Sequence, residues 1–400
     1  MEIEQAISAV SSAISEIKDE MIVPITDAAG MICATDIKAA NPVPAFNRSA
    51  MDGYAVRAED IKAADKDNPV RLKVIGQMYA GDDKDYTYEK GSAVRVMTGA
   101  MIPDGYDAVV KQEDTDYGED EAEIYKAVEP YMNYCHTGEE ASAGDTLIQA
   151  GTRLGRAGIG LAAALGMSEI RIRRPARVAL ISTGSELVSP GEDLPRGKIY
   201  NSILYMLQTS VIAEGLAVSE TVICPDDINS IKESIAKAFE VSDAVITTGG
   251  VSVGKRDLLP AVYEQMGIEK LFAGVNIQPG TPTMAGMYKG KIILSLSGNP
   301  YAALANFDLY FPYIAAGLMG CRHYIYEPEE AILAQAYDKV NKMRRLVRAN
   351  VREGRVYLPD NRHMSSVFGN MDRCNCYMDI PAGSNLSVGD RVKIRRIREN

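Results

Sequence analysis

The stretch AVITTGGVSVGKRD, residues 244–257, joins an apolar run, a glycine-rich loop and three charged residues. The β-branched run at residues 244–248 predicts one buried strand. The glycines that follow allow a sharp turn, and they let a ligand approach backbone N–H groups because glycine has no β-carbon. Residues 258–267 then predict a helix. A strand, a glycine loop and a helix N-terminus in this order predict an anion-binding site.

The same loop has the letters of a phosphate-binding P-loop from Gly249 to Lys255. In a P-loop the next residue is Ser or Thr, whose hydroxyl binds Mg²⁺, but here it is Arg256. A guanidinium has no lone pair to offer a metal ion. The sequence therefore argues against a P-loop nucleotide hydrolase, while a purely structural glycine turn remains an alternative interpretation.

Apolar runs and helical patterns alternate on both sides of this stretch. The predicted strands are residues 178–182, 218–224, 244–248 and 292–296, and the predicted helices are residues 202–214, 228–241, 258–266 and 301–318. Continuous apolar strands that alternate with helices predict a parallel sheet covered on both faces. No G-x-G-x-x-G follows a strand, so a dinucleotide-binding site is not supported.

Parallel sheets bind ligands beyond the carboxyl ends of their strands. Here those ends carry polar and glycine-rich loops, which predict a binding crevice. The loops supply the predicted ligand-binding residues, which are Thr183, Gly184, Thr248, Gly249, Gly250, Ser252, Gly254, Lys255, Ser297, Gly298, Asn299 and Pro300.

Carboxylates lie in the same loops. Asp226 and Asp257 beside a phosphate site predict bound Mg²⁺, because Mg²⁺ takes one or two carboxylates together with substrate phosphates. Helix N-capping is the alternative role, equally good for Asp226 and the better interpretation of Asp227. Glu186 is either a ligand or a partner of a helix dipole.

The rest of the chain predicts smaller parts. Residues 1–23 have the spacing of an amphipathic helix, and a second short helix is expected at residues 27–34. Short β runs follow between residues 70 and 110, and β patterns return after residue 327. We therefore expect a multidomain α/β and β protein with a helical linker. The expected domains are an elongated linker or dimerisation domain (1–45 plus 139–175), a small β domain (46–138), a parallel-sheet α/β domain (176–326) and a C-terminal β domain (327–400).

Composition excludes several classes of protein. A net charge of −11 over 400 residues argues against nucleic acid or an acidic membrane as a partner. There is no long apolar run and no basic N-terminal region, so neither a transmembrane helix nor a signal peptide is expected. Six scattered cysteines favour a reducing cytoplasm. Cys374 and Cys376 near His363 are a poor match to zinc-ligand spacing.

Eight collinear motifs identify a resemblance to one family. They are VPAFNRSAMDGYAV (43–56), VRVMTGAMIPDGYDAVV (94–110), GEEASAGDTLIQAGTRL (138–154), ISTGSEL (181–187), GKIYNSILYML (197–207), TTGGVSVGKRD (247–257), QPGTP (278–282) and SGNP (297–300). In this order they resemble the MoeA family of molybdopterin molybdenumtransferases, which includes the C-terminal domain of gephyrin. The resemblance covers nearly the whole chain.

The resemblance implies a function and a set of site residues. It implies that adenylylated molybdopterin and molybdate are converted to molybdenum cofactor and AMP with Mg²⁺, and that a molybdopterin adenylyltransferase supplies the pterin. It implies a homodimer in which the α/β crevice faces the β domain of the other subunit. By motif position, the residues that match the functional acids and threonine of the family are Asp52, Thr98, Glu186, Asp226 and Asp257.

The chain also departs from the family pattern. Lysines that many members carry around a K-P-G-K-P stretch are here Gly274, Gln278 and Thr281, and Ser297 replaces a proline. Lys255 and Arg256 offer partial replacement for those cations. We therefore expect weaker anion affinity than in a typical member. The alternatives are a carrier of molybdopterin or finished cofactor without insertion activity, a tungstate-inserting enzyme, a scaffold, and a simple Mg²⁺-dependent nucleotide hydrolase.

Overall fold

The structure is a computed structural model that describes residues 1–251, 258–359 and 369–397. Its helices, numbered in chain order, are α1 Ile3–Ala13, α2 Arg156–Ala164, α3 Ser202–Ala213, α4 Ile228–Val241, α5 Leu259–Met266 and α6 Pro300–Met319. The four helices expected between residues 202 and 318 are confirmed to within two residues at each end.

The strands are numbered in the same way. The first ten are β1 Glu20–Pro24, β2 Ile37–Lys38, β3 Arg48–Ser49, β4 Gly53–Val56, β5 Val70–Met78, β6 Ser92–Val96, β7 Ala108–Lys111, β8 Glu121–Ile124, β9 Tyr134–Cys135 and β10 Thr146–Ile148. The next ten are β11 Glu169–Arg173, β12 Arg177–Thr183, β13 Leu187–Val188, β14 Ile199–Tyr200, β15 Ala217–Cys224, β16 Ala244–Thr248, β17 Glu269–Ala273, β18 Ile277–Gln278, β19 Met284–Tyr288 and β20 Lys291–Leu296. The last five are β21 Glu329–Leu333, β22 Arg344–Arg352, β23 Arg355–Tyr357, β24 Cys376–Ile380 and β25 Arg391–Arg396.

The chain forms two compact units. The first consists of residues 1–34, 151–155 and 170–400, and the second of residues 35–150 and 156–169. In each unit, segments that are distant in the sequence lie together, so the chain passes between the units more than once.

The first unit contains the expected parallel sheet, in the order β15-β12-β16-β20-β19-β17. The pairs β15–β12, β12–β16 and β16–β20 are parallel, as the alternation of strands and helices predicts. At one edge, β19 and β17 add antiparallel strands that the sequence pattern did not reveal. The fold class expected from the sequence is therefore confirmed.

Helices cover both faces of this sheet, because successive side chains of a strand point to opposite faces. Along β12, Val178 and Leu180 pack into one hydrophobic core with residues of α1, α3 and α6. The alternate residues Ala179 and Ile181 pack into a second core with residues of α4 and α5. Burial on both faces explains why the strands are continuously apolar.

The last part of the chain folds into a small β-barrel within the first unit. The strand order is β22-β23-β21-β25-β24, and a further pairing between β22 and β24 closes the ring. Its interior is filled by a separate hydrophobic cluster that includes Leu333, Ala349 and Met378. Strands β22 and β23 form a hairpin in which Asn350 pairs with Tyr357, in the region where the sequence predicts β structure after residue 327.

The second unit is built on a five-stranded sheet in the order β7-β4-β6-β5-β8. All its neighbouring pairs are antiparallel except β5 and β6. Tyr54 of β4 and Ile61 are completely buried in the hydrophobic core on one face of this sheet. This sheet fits the small β domain that alternating runs between residues 70 and 110 predict.

The N-terminal helix is shorter than its apolar spacing predicts. α1 ends at Ala13, where Ile14 takes an extended conformation, and the chain returns as strand β1 beside β11. The short helix expected at residues 27–34 is also wrong. A 3₁₀ turn occupies Ile25–Asp27, and Cys33 donates its N–H to the Thr152 carbonyl. In both places pairing with a distant segment outweighs local helical propensity.

Among the described residues, no helix combines the length and apolar character that a membrane crossing needs.

Candidate functional site

The carboxyl ends of the four parallel strands surround a cavity of about 280 Å³. Most of the predicted ligand-binding residues line it. They are Thr183, Gly184, Thr248, Gly249, Gly250, Ser297, Gly298 and Pro300, and the predicted acids Glu186 and Asp226 line it as well. The sequence predicted this convergence because carboxyl ends of parallel strands share one edge of a sheet. The volume of this cavity is close to the lower end of the range for small-molecule pockets, which begins at about 300 Å³.

Hydroxyl groups hold the ends of β12 and β16 together below the cavity. Ser182 Oγ and Thr248 Oγ1 are 3.0 Å apart, and Thr183 Oγ1 donates to the Thr248 carbonyl at 3.2 Å. All three residues are buried, so these bonds satisfy polar groups that would otherwise be costly to bury. The floor of the cavity is therefore fixed by the sheet.

The glycines of the loop are required by close backbone packing. Gly249 has a φ of 89°, and a β-carbon at this position would lie 2.4 Å from the Thr183 carbonyl oxygen. A β-carbon at Gly298 would lie 3.4 Å from the Gly249 α-carbon. The β12, β16 and β20 loops thus approach one another through their backbones, which leaves peptide groups beside the cavity for an anion.

Two carboxylates line the cavity. Asp226 Oδ2 accepts a hydrogen bond from the Ser185 N–H at 3.0 Å, while Ser185 Oγ accepts from the Asp226 N–H at 3.2 Å. A β-carbon at Gly184 would meet both carboxylate oxygens of Glu186 at 2.9 Å, so glycine makes room for that side chain. Both acids are therefore held close to the loop that follows β12.

Two other residues of these loops are helix caps. Asp227 caps α4, because its carboxylate accepts from the Ser230 N–H and hydroxyl at 2.9 Å each. Asn299 caps α6 by accepting from the Ala302 N–H at 3.0 Å. Asn299 is the one predicted ligand-binding residue of the SGNP loop that does not line the cavity. The capping interpretation of Asp227 is confirmed, and Asp226 points to the crevice instead.

Four of the predicted site residues lie outside the described residues, namely Ser252, Gly254, Lys255 and Asp257. In the part of the chain that the structure describes, no three His, Cys, Asp or Glu side chains are grouped to hold a metal ion. Mg²⁺ needs only one or two protein carboxylates when substrate phosphates complete its coordination. Asp226 and Glu186 at one cavity fit that requirement.

A second cavity of about 350 Å³ lies on the other side of the SGNP loop. Ser297 lines both cavities. The second is bordered by the QPGTP stretch, where Gly280 packs against Asn306, whose amide donates to the Pro279 carbonyl at 2.9 Å. Of the described residues that line it, Arg345 of β22 is the one with a charged side chain. Sequence reasoning missed Arg345, since nothing local links β22 to this loop.

Asp52 and Thr98 belong to the second compact unit, where they meet each other. Asp52 Oδ1 accepts from the Thr98 N–H at 2.7 Å and from the Thr98 hydroxyl at 2.8 Å. These hydrogen bonds, the backbone one first, lower the pKa of Asp52 below its usual value. Thr98 is exposed, so the pair lies at the surface of this unit. Two residues predicted from separate motifs thus form one hydrogen-bonded pair.

The segment before α3 contributes cavity residues that the list of predicted site residues omitted. Ile199, Tyr200 and Asn201 line the first cavity beside Leu187. Strands β13 and β14 pair in parallel, with Leu187 opposite Ile199, and bring the segment there. The GKIYNSILYML motif was the available signal, but its position between a strand and a helix did not reveal which side chains reach the crevice.

Comparison with protein families gives three matches along the chain. Residues 1–166 match the MoeA N-terminal region (domain I and II). Residues 179–316 match a probable molybdopterin binding domain. Residues 330–396 match the MoeA C-terminal region (domain IV).

Similar proteins agree with these matches. A molybdopterin molybdenumtransferase of Staphylococcus epidermidis is 34% identical over 396 residues, which cover 98% of this chain and 94% of that protein. One of Staphylococcus aureus is 34% identical over 367 residues, or 91% of this chain and 88% of that protein. A crystal structure of the molybdopterin biosynthesis MoeA protein from Pyrococcus horikoshii OT3 superimposes with a TM-score of 0.85 at 30% identity, covering 99% of this chain and 100% of that one.

Proposed function

Because the chain belongs to the MoeA family of molybdopterin molybdenumtransferases, we propose that it inserts molybdenum into adenylylated molybdopterin and releases AMP with the help of Mg²⁺. Molybdenum insertion into molybdopterin is the activity that its relatives' name describes. The adenylylated form of the substrate, the release of AMP and the use of Mg²⁺ are the finer parts of the proposal.

One observation carries the proposal: the first cavity brings the glycine loop, two carboxylates and the SGNP loop to one edge of the sheet. Gly249, Gly250 and Gly298 border it with backbone that no β-carbon shields. Peptide N–H groups in such loops bind phosphate oxygens. We assign the phosphates of the adenylylated pterin to this cavity.

Asp226 would hold Mg²⁺ here, together with Asp257, which lies outside the described residues. The bound ion would supply positive charge to the phosphates and so favour departure of AMP. Ser185 orients the Asp226 carboxylate through its N–H. Glu186 adds a second carboxylate on the same side of the cavity.

We assign molybdate to the second cavity. Molybdate is an oxyanion, and Arg345 provides positive charge there among the described residues. Gln278 and Thr281 border the same cavity at positions where the family resemblance implies lysines. Since Ser297 lines both cavities, an oxyanion held by Arg345 would lie next to the pterin site. A single arginine supports the expectation of weaker anion affinity.

The remaining parts of the proposal concern assembly and setting. We propose a cytoplasmic homodimer in which Asp52 and Thr98 of one subunit complete the crevice of the other. A molybdopterin adenylyltransferase would supply the pterin substrate. The four-domain division, with boundaries near residues 45, 138, 175 and 326, remains a proposal as well.

Single-turnover AMP release tests the proposed function. Purified protein is mixed with adenylylated molybdopterin and Mg²⁺, with and without molybdate. We expect AMP release that depends on molybdate and is abolished by Asp226→Asn and by Asp257→Ala. Mass spectrometry of the pterin product should show one molybdenum per pterin. AMP release at the same rate with and without molybdate would contradict molybdenum insertion and would point to a Mg²⁺-dependent nucleotide hydrolase.

A cofactor carrier is the second candidate, favoured by the absence of Lys and Arg from the described lining of the first cavity. A carrier would bind the pterin tightly and release no AMP with molybdate. Parallel reactions with tungstate decide between the two oxyanions, which have the same charge and similar shape.

A further inference from the structure

Among the described residues, the lining of the first cavity has an excess of negative charge. Its described lining contains the carboxylates of Glu186 and Asp226 and no lysine or arginine. The substrate in the proposed function carries a diphosphate link, which is also anionic, and this inference rests on that function. Backbone N–H groups and one Mg²⁺ offset part of the charge, but a cationic side chain at the rim would favour binding further.

Lys198 places an ammonium group at this rim. Its Nζ donates a hydrogen bond to the carbonyl of Ser185, the residue between Gly184 and Glu186. Both of those neighbours line the cavity, and so does Ile199, which follows Lys198 in the chain. The ammonium therefore lies beside lining residues of two different segments.

The backbone around Lys198 is fixed. The Lys198 N–H donates to the Pro195 carbonyl at 3.0 Å, and the Ile199 N–H donates to the Glu186 carbonyl at 2.9 Å. Pairing of Leu187 with Ile199 continues this connection into β13 and β14. The base of the side chain thus has a set position relative to the loop that follows β12.

The charge of Lys198 is not neutralised by a carboxylate within the described ranges. Its hydrogen-bond partner is the Ser185 carbonyl oxygen, and no ion pair with a described residue includes it. Two acids of the neighbouring loops have other partners: Glu192 accepts from the Ser189 N–H at 3.1 Å, and Asp226 accepts from the Ser185 N–H. An ammonium has three N–H donors, so two remain after the bond to Ser185.

The backbone of Ser185 therefore binds two side chains of opposite charge. Its N–H donates to the Asp226 carboxylate, and its carbonyl accepts from the Lys198 ammonium. We propose that Lys198 is an anion-binding residue of the crevice that contacts a phosphate group of the adenylylated pterin. In this position it supplies positive charge to a cavity whose described lining holds no lysine or arginine. The carboxylate beside it would hold the metal ion on the same phosphates.

The test measures binding of inorganic pyrophosphate with Mg²⁺ to the full chain by titration calorimetry. Pyrophosphate stands in for the diphosphate link and needs no catalytic turnover. Lys198→Gln should raise the dissociation constant for pyrophosphate about tenfold, which corresponds to a loss of about 1.4 kcal/mol in binding free energy. The salt dependence of binding should also become shallower. Lys198→Arg, which keeps the charge, should bind within about threefold of wild type.

Arg196 provides a matched control. It lies two residues before Lys198 in the same turn, is exposed, and forms no side-chain hydrogen bond or ion pair with a described residue. Arg196→Gln should leave pyrophosphate binding unchanged. An equal loss in Arg196→Gln would assign the effect to general surface charge and overturn the proposal. The proposal would also be overturned if Lys198→Gln had the same dissociation constant for pyrophosphate as the wild type, or if the wild-type chain did not bind pyrophosphate.

A purely structural role of Lys198 gives a different pattern. If Lys198→Gln and Lys198→Arg both lose binding together with a lower Tm, the side chain only supports the Ser185 turn, and the proposal fails. In turnover, the proposal expects a higher KM for the adenylylated pterin in Lys198→Gln with kcat nearly unchanged. If wild type binds pyrophosphate but inserts no molybdenum, the proposed function fails while the dissociation constants still decide the role of Lys198.

Discussion

Gly249 lies so close to Thr183 that a β-carbon on the glycine would be 2.4 Å from the threonine carbonyl oxygen. This contact joins the loops after β12 and β16, and it leaves no space for any other residue at position 249. The φ of 89° at Gly249 adds a second requirement for glycine.

Gly249→Ala should therefore destabilise the chain by about 1–3 kcal/mol and abolish AMP release. Gly290 is the control, because it has a similar φ of 78° but open space around its α-carbon. Gly290→Ala should cost about 1 kcal/mol and keep activity. Urea denaturation and single-turnover assays measure both effects. An equal loss of unfolding free energy in the two variants would show that backbone strain, and not the contact with Thr183, causes the destabilisation.

The adjacent acids Asp226 and Asp227 should separate function from stability. Asp227 caps α4 through Ser230, so Asp227→Ala should lower the free energy of unfolding by about 1 kcal/mol and leave AMP release intact. Asp226→Asn should do the reverse, abolishing AMP release with little change in stability. Thermal unfolding and single-turnover kinetics on both variants check this pair. Loss of activity in Asp227→Ala at a temperature where it is folded would contradict the assignment.

The Asp52–Thr98 pair predicts a pH-dependent contribution to stability. Hydrogen bonds from Thr98 lower the folded-state pKa of Asp52. Their stabilisation is therefore present above the unfolded pKa and is lost as pH falls through the folded pKa. Thr98→Val removes the hydroxyl donor, so the Asp52 pKa should rise toward its usual value in a carboxyl NMR titration. The stability difference from wild type should shrink in acid.

Thr137 supplies the control for that measurement. Its N–H and hydroxyl donate to Asn47 Oδ1 at 2.9 and 3.1 Å, in the same arrangement but to a neutral acceptor. Thr137→Val should thus show a stability loss that does not change with pH. A pH-dependent loss of the same size in both variants would remove Asp52 as the cause.

Asp308 on α6 predicts the opposite pH dependence. Its carboxylate accepts from the Tyr377 hydroxyl on β24 at 2.7 Å, and burial raises its pKa to about 7. The folded state then holds a proton that the unfolded state releases, so this group costs stability as pH rises from about 4 to 7. Asp308→Asn should gain stability relative to wild type at pH 8 and not at pH 4. Urea denaturation at both pH values measures it, and an equal difference at the two would contradict the raised pKa.

Arg345 should govern use of molybdate. Arg345→Gln removes the positive charge that the described residues supply to the second cavity. The KM for molybdate should therefore rise about tenfold, while the KM for the pterin changes little. Arg352 lies on the same strand and stacks on the Tyr357 ring, with 4.4 Å between its Cζ and the ring centroid. Arg352→Gln should leave both constants unchanged. A shift in the pterin KM alone would place the anion elsewhere.

Much of the α/β region follows from sequence because its signals are local. Strand β16 and helix α4 were predicted with the residues that the structure shows, and the other central strands within one residue. Burial on both faces imposes a continuous apolar run, and carboxyl ends of parallel strands must share an edge. That geometry alone brings Thr183, Asp226, Thr248 and Ser297 to one cavity.

Tertiary structure decided what depends on distant partners. Helical spacing in residues 14–23 gave way to strand β1, because β11 offers backbone hydrogen bonds that no local pattern reveals. Arg345 reaches the second cavity from β22. The pairing of β13 with β14 brings Lys198 close to Ser185, so that its ammonium donates to the Ser185 carbonyl. The sequence favoured capping for Asp227 and left the role of Asp226 open. The contacts with Ser230 and Ser185 make Asp227 a cap and Asp226 a crevice carboxylate. The sequence alone determined the central parallel strands and the helices between them, because their apolar patterns are local. Edge strands, strand β1 and the roles of side chains depended on contacts between distant segments, which only the folded chain provides.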